Sequence, residues 1–155
     1  MTAHLRIDKS PFHRLIGVEL VRAEDGAVEL RLPWRDELGR ADGSDWFHGG
    51  VISALIDIAG DYAIASKLGR GVPTIDLRVD YLRPARRGDL RAQARAVKVG
   101  RTVGVADVEL RDGQTFAIAG LMSNISQNDA AAIPLLSKLP IIGALFKSNS
   151  KRAEQ

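Results

Sequence analysis

The chain reads as an α+β domain in which one long, mostly buried helix lies against an antiparallel sheet of five to six strands. Three features predict it. Between residues 48 and 67, apolar side chains recur at helical spacing. On either side of that stretch, short runs alternate apolar and polar residues and are separated by turns rich in Gly and Pro. The 155 residues, 45% of them hydrophobic, are enough for one domain with its own core.

The elements follow in order. Ser10-Pro11 places a capping hydroxyl and then a proline at the first helical position, so a short helix is expected over residues 12–16, ended by Gly17. Strands are expected at 18–22 and 27–32. In the second, Val28, Leu30 and Leu32 alternate with Glu29 and Arg31, and Glu24-Asp25-Gly26 between the two strands is a hairpin turn. Residues 34–47 form a loop rich in Asp and Gly.

The long helix starts at His48 or Gly49, runs to Lys67 and is closed by Gly69. Val51, Ile52, Ala54, Leu55, Ile56, Ile58, Ala59, Tyr62 and Ala63 cover most of its circumference. Only a narrow stripe of Ser53, Asp57, Gly60 and Asp61 stays polar or small. A helix apolar on most sides is buried on most sides, which puts Asp57 at a seam rather than on an open face.

The rest is β. Ile75, Leu77, Val79 and Tyr81 alternate with Asp76, Arg78 and Asp80, and Pro84 and Gly88 interrupt the chain. Residues 90–99 alternate again and set Ala92, Ala94 and Ala96 on one face, small enough for a helix to approach closely. After a turn at Gly100-Arg101, a strand is expected over 102–110. Asp112-Gly113 turns the chain into a last strand over 114–125. Short connections predict that these four strands form a meander, extended by the two earlier ones. The expected division is an N-terminal segment (1–16), the main domain (17–125) and a tail (126–155). The tail is apolar over 133–146, broken by Pro134, Pro140 and Gly143, and then turns basic. It is expected to be an appendage that docks on a partner subunit, touches a membrane surface, or stays partly unstructured.

Composition narrows the function. There is no cysteine, which excludes disulfides, thiolate metal sites and a cysteine nucleophile. With only three histidines a metal site is not expected. The net charge of +3 is spread among interleaved acids and bases, and aromatics are 5%, so nucleic acid is not indicated. No apolar run reaches the about 20 residues of a membrane span, and residues 1–9 lack the apolar core of a signal peptide. A cytoplasmic protein is expected.

The chemistry concentrates at His48-Gly49-Gly50 with Asp57 nine residues after the histidine. A helix N-terminus offers unpaired N–H groups and a partial positive charge, which suits a developing oxyanion. A carboxylate near it can act on a carbonyl as base or nucleophile. Asp61, on the same stripe, is expected to be a structural or rim acid.

One stretch carries a resemblance, from 17 to 125. Its motifs are His48-Gly49-Gly50-Val51 with Asp57, then Thr74-Ile75-Asp76-Leu77-Arg78-Val79-Asp80-Tyr81-Leu82-Arg83-Pro84-Ala85 with Gly88-Asp89, then Lys98-Val99-Gly100-Arg101-Thr102. With these the sequence resembles the hotdog-fold acyl-CoA thioesterases, the phenylacetate-pathway type in particular. The resemblance implies a curled antiparallel sheet wrapped around the helix and hydrolysis of a medium-chain or aromatic acyl-CoA. It implies Asp57 as nucleophile or general base and the Gly49 N–H as donor to the thioester carbonyl. His48 would orient the loop, and the Thr74 hydroxyl would help place the water. No cofactor is implied, since CoA is part of the substrate. A homodimer or homotetramer is implied, with sites at the subunit interface. CoA phosphates need cations, and Arg83, Arg86, Arg87, Lys98 and Arg101 are the candidates.

The resemblance departs at one position. Six residues before the histidine the family often has Asn or Gln, and here Asp42 stands there. An ionised aspartate cannot donate a hydrogen bond. Either Asp42 is protonated, Ser44 takes the role, or activity is lower or different. Asp42 therefore favours a second reading, a non-catalytic protein that binds or senses acyl-CoA. A hotdog dehydratase ranks third, because its strand-Gly-Pro-Gly pattern is missing.

Overall fold

The computed structural model of the protein describes residues 5–113 and 118–125. Helix α1 (Pro11–Ile16) forms as its sequence dictates. The Ser10 Oγ accepts the His13 N–H at 3.4 Å, and Gly17 ends the helix at φ +76°. Strands β1 (Glu19–Glu24) and β2 (Ala27–Leu32) are joined by the two residues Asp25-Gly26. Gly26 has φ +79°, a conformation that glycine adopts without strain. Its N–H donates to the Ser66 Oγ at 2.8 Å, tying the hairpin to the far end of the long helix. The strand predicted at 18–22 thus lies further along the chain, because the turn takes only two residues.

Helix α2 (Gly49–Leu68) is followed by β3 (Thr74–Asp80), β4 (Leu90–Val99), β5 (Val103–Asp112) and β6 (Ile118–Ile125). The six strands form one antiparallel sheet in the order β1-β2-β4-β5-β6-β3. The expected four-strand meander needs correction. Only β4, β5 and β6 follow one another in space, and β3 pairs with β6 at the opposite edge. Both sides of β4 are occupied, by β2 against Leu90–Arg95 and by β5 along the strand. The segment 81–89, with Pro84 and Gly88, instead crosses the end of the sheet.

Alternation sorts the faces. Val28, Leu30 and Leu32 of β2, Leu90, Ala92 and Ala94 of β4, and Ala106, Val108 and Leu110 of β5 are all buried. Against them α2 sets Ile52, Leu55, Ile56, Ala59, Ala63 and Ile64. Each fully buried Leu or Ile contributes about 1.5–3 kcal/mol. The small residues let the helix sit close, as their pattern predicts. A Cβ on Gly104 would stand 3.0 Å from the Ile64 Cγ2, so β5 has no room for a side chain there. Among the described residues, no helix is long and apolar enough to cross a membrane. The expectations for the tail at 126–155 lie outside the described residues.

Candidate active site

The site begins at the first turn of α2. His48 is the N-cap, in extended conformation, and its Nδ1 accepts the Gly50 N–H at 2.9 Å. That bond leaves Nδ1 without a proton and places the neutral ring's hydrogen on Nε2. The Gly49 N–H has no partner among the described residues. It is an orphan donor of the kind a helix start provides. The second glycine has its own reason. A Cβ on Gly50 would lie 3.0 Å from His48 Nδ1 and 3.2 Å from Cε1, so the cap needs glycine there. Gly50→Ala is expected to push the imidazole off its bond and slow turnover about tenfold. Tm should change little, because alanine's helix preference offsets the lost cap. Steady-state kinetics beside a melting curve would check this.

Tyr81 completes this end and was not a candidate from sequence. Its hydroxyl donates to the Gly49 carbonyl at 3.0 Å, and its ring lies beside Gly49. In the sequence it stood only as the last apolar member of the alternating run that begins at Ile75, whereas β3 ends at Asp80 and leaves Tyr81 just beyond it. Tyr81, Trp46, Ile52, Leu82 and Pro84 line a groove of about 400 Å³ beside Gly49. Its walls are mostly apolar, which suits an acyl or other apolar group.

Two turns along the helix, the Thr74 hydroxyl at the start of β3 donates to Asp57 Oδ1 at 2.6 Å. Asp57 is half-buried. Its other oxygen has no hydrogen-bond partner among the described residues and is available to a water or a carbonyl carbon. Eight residues separate Gly49 from Asp57, which is about 12 Å along a helix axis. A carbonyl resting on one chain's Gly49 N–H is therefore out of reach of that chain's own Asp57.

Asp61 lies one turn beyond Asp57, and its Oδ1 accepts the Val72 N–H at 3.3 Å. Burial, first, and then the nearby charge of Asp57 push its carboxyl from the ordinary 3.8 up to about 6, while the Val72 N–H acts against them. The folded state thus favours the protonated form. The cost of ionising Asp61 is absent below pH 4 and fully present above about 6. Stability should fall as pH rises through that window. Asp61→Asn should remove the effect and gain of order 1–3 kcal/mol at pH 8. Equal Tm differences between variant and wild type at pH 4 and pH 8 would contradict this.

The remaining candidates do not gather at one point. Asp42 sits exposed in the turn 41–44, closed by the Ser44 N–H to the Ala41 carbonyl at 3.0 Å, and makes no hydrogen bond or ion pair to a described residue. Ser44 spends its Oγ accepting the Trp46 N–H at 3.1 Å. Arg83 is engaged with Asp112, whose oxygens it meets at 2.6 and 3.2 Å. Arg86 and Arg87 share its loop. Arg87 is exposed, lies over the Trp34 ring and faces Asp36 and Asp45 at 3.4 and 3.7 Å. Lys98 and Arg101 lie at the other end of β4, roughly 25 Å away along an extended strand. One chain therefore carries two separate basic groups.

Comparison with known proteins identifies the family. The thioesterase superfamily model matches residues 46–116, from the loop before α2 past β5. A Halobacterium salinarum protein, provisionally named an esterase, is 43% identical over 109 residues, which are 67% of this chain and 72% of that one. The medium/long-chain acyl-CoA thioesterase YigI of Escherichia coli is 34% identical over 124 residues, 70% of this chain and 80% of YigI. A solved structure from the thioesterase superfamily, 34% identical, superposes with a TM-score of 0.75 over 81% of this chain and 96% of the other. The chain belongs to the thioesterase superfamily of hotdog-fold thioester hydrolases.

Proposed function

We propose that the protein hydrolyses the thioester of a medium-chain or aromatic acyl-CoA, at sites shared between two copies of the chain. The observation that carries this is the Asp57–Thr74 pair at 2.6 Å, set two turns from an unpaired Gly49 N–H on the same helix. The spacing of about 12 Å supports a division of the two functions between different protomers. In each site, the Gly49 N–H of one chain receives the carbonyl oxygen. Asp57 of the other attacks the carbonyl carbon or takes a proton from the attacking water. An oxyanion donor of this kind contributes about 3–4 kcal/mol to the barrier. As a base, Asp57 passes the water's proton to the departing CoA thiolate; as a nucleophile, it forms an acyl anhydride that water then cleaves to the free acid, and the thiolate takes its proton from water.

YigI acts on medium and long acyl-CoAs by its name, which supports CoA as the carrier here. Arg86 and Arg87, or Lys98 and Arg101, receive the CoA phosphates. Arg83 is left to Asp112. The test is thiol release from short, medium, long and aromatic acyl-CoAs, with wild type beside Asp57→Ala. Hydrolysis lost in the variant supports the proposal. Binding of acyl-CoA without thiol release by wild type would favour the non-catalytic reading, and the exposed, unpaired Asp42 is the observation in its favour.

A further inference from the structure

We infer that Asp61 is a positioning residue for hydrolysis, holding the strand start so that Thr74 meets Asp57; this rests on the proposed role of Asp57. The two acids make parallel rungs to one stretch of chain. Asp57 accepts from the Thr74 hydroxyl at 2.6 Å, and Asp61 accepts from the Val72 N–H at 3.3 Å. The four residues from Asp57 to Asp61 rise about 6 Å along the helix. The two residues from Val72 to Thr74 span about 6.6 Å when extended. The chain between them runs opposite to the helix, so the spacings match and one rung sets the register of the other.

Thr74 itself is also paired with Asn124 of β6, whereas the segment leading up to it is lightly tied. Five residues, 69–73, connect the end of α2 to β3. Gly69 ends the helix at φ +71°, Gly71 has open space around it, and Pro73 has no N–H to give. Beyond the cap bond from the Gly69 N–H to the Ala65 carbonyl at 2.8 Å, the Val72 N–H is the donor that ties this segment back to the helix among the described residues, with the Val72 side chain in the core. A carboxylate accepts an N–H more strongly than a neutral group does. Holding one in a half-buried place is costly, as the upward displacement of its titration to about 6 shows.

The test is a double-mutant cycle on thiol release with an acyl-CoA that wild type hydrolyses. Asp61→Ala is expected to lower kcat about tenfold with KM unchanged, because substrate contacts stay in place. Asp61→Asn keeps an oxygen that accepts the Val72 N–H, and is expected to restore kcat to within about threefold of wild type. In a Thr74→Val background, Asp61→Ala should cost nothing further, because its effect passes through the hydroxyl that is already gone. A full-rate Asp61→Ala overturns the inference. So does a tenfold loss that persists in the Thr74→Val background, since the effect would then be general to the fold. Asp57→Ala is run alongside. An inactive Asp57→Ala with a full-rate Asp61→Ala removes this inference alone, whereas an active Asp57→Ala removes the role of Asp57 and this inference with it.

Discussion

Replacing Asp57 by Ala is expected to lower thiol release by about 10²–10⁴-fold, the range for loss of a positioned base, and by more if the carboxylate is the nucleophile. The chain should still fold. Asp57 is half-buried on the polar stripe of α2 and makes one hydrogen bond among the described residues, to the Thr74 hydroxyl. Losing that bond costs about 1 kcal/mol, or a few degrees in Tm for a domain of this size. Asp57→Asn is the sharper variant. Its amide oxygen still accepts the Thr74 hydroxyl, so the strand start stays in place, but it cannot take a proton or attack a carbonyl. Equal inactivity of the two variants, with wild-type melting of the asparagine form, would assign the loss to chemistry. Turnover near wild type in Asp57→Asn would leave the carboxylate without a role in the reaction.

The same residues show why some of the site was legible in the sequence. Helix α2 was readable because its evidence is local: a cap, a period and a closing glycine lie within about twenty consecutive residues. The narrow polar stripe followed from that period, and it is where Asp57 and Asp61 sit. The Asp57–Thr74 contact was not readable from periodicity. It joins residues 17 apart through a loop whose path is set by the sheet, and only the resemblance suggested it. Strand order failed for a related reason. Short connections favour neighbours, but β3 had no free edge of β4 to take. Arg83 shows the limit for charges. In sequence it is one of several basic residues near a turn, and only the fold reveals a buried acid, 29 residues away, that claims it.

That acid carries the second large effect. Asp112, its side chain 3% exposed, accepts both terminal nitrogens of Arg83 and, at 3.1 Å, the backbone N–H of Arg86. Asp112→Ala leaves a guanidinium and a backbone N–H facing a cavity. Breaking a buried pair costs about 3–5 kcal/mol, and Arg83, partly exposed, recovers some of this by turning to water, so about 2–4 kcal/mol is expected. Asp112→Asn keeps an acceptor for the Arg86 N–H and should cost less. The consequence reaches the site, because Asp112 pins the segment 81–89 across the end of the sheet. Tyr81, whose hydroxyl holds the Gly49 carbonyl, opens that segment. The Ala85 carbonyl within it accepts the Phe47 N–H at 3.0 Å, one residue before His48. Denaturant melts should therefore show the loss of stability, and kcat measured well below the melting temperature should fall too. A destabilised Asp112→Ala with an unchanged kcat would mean that the helix start is held by the His48 cap and by the bond from the His48 N–H to the Leu38 carbonyl at 2.9 Å, without support from this segment.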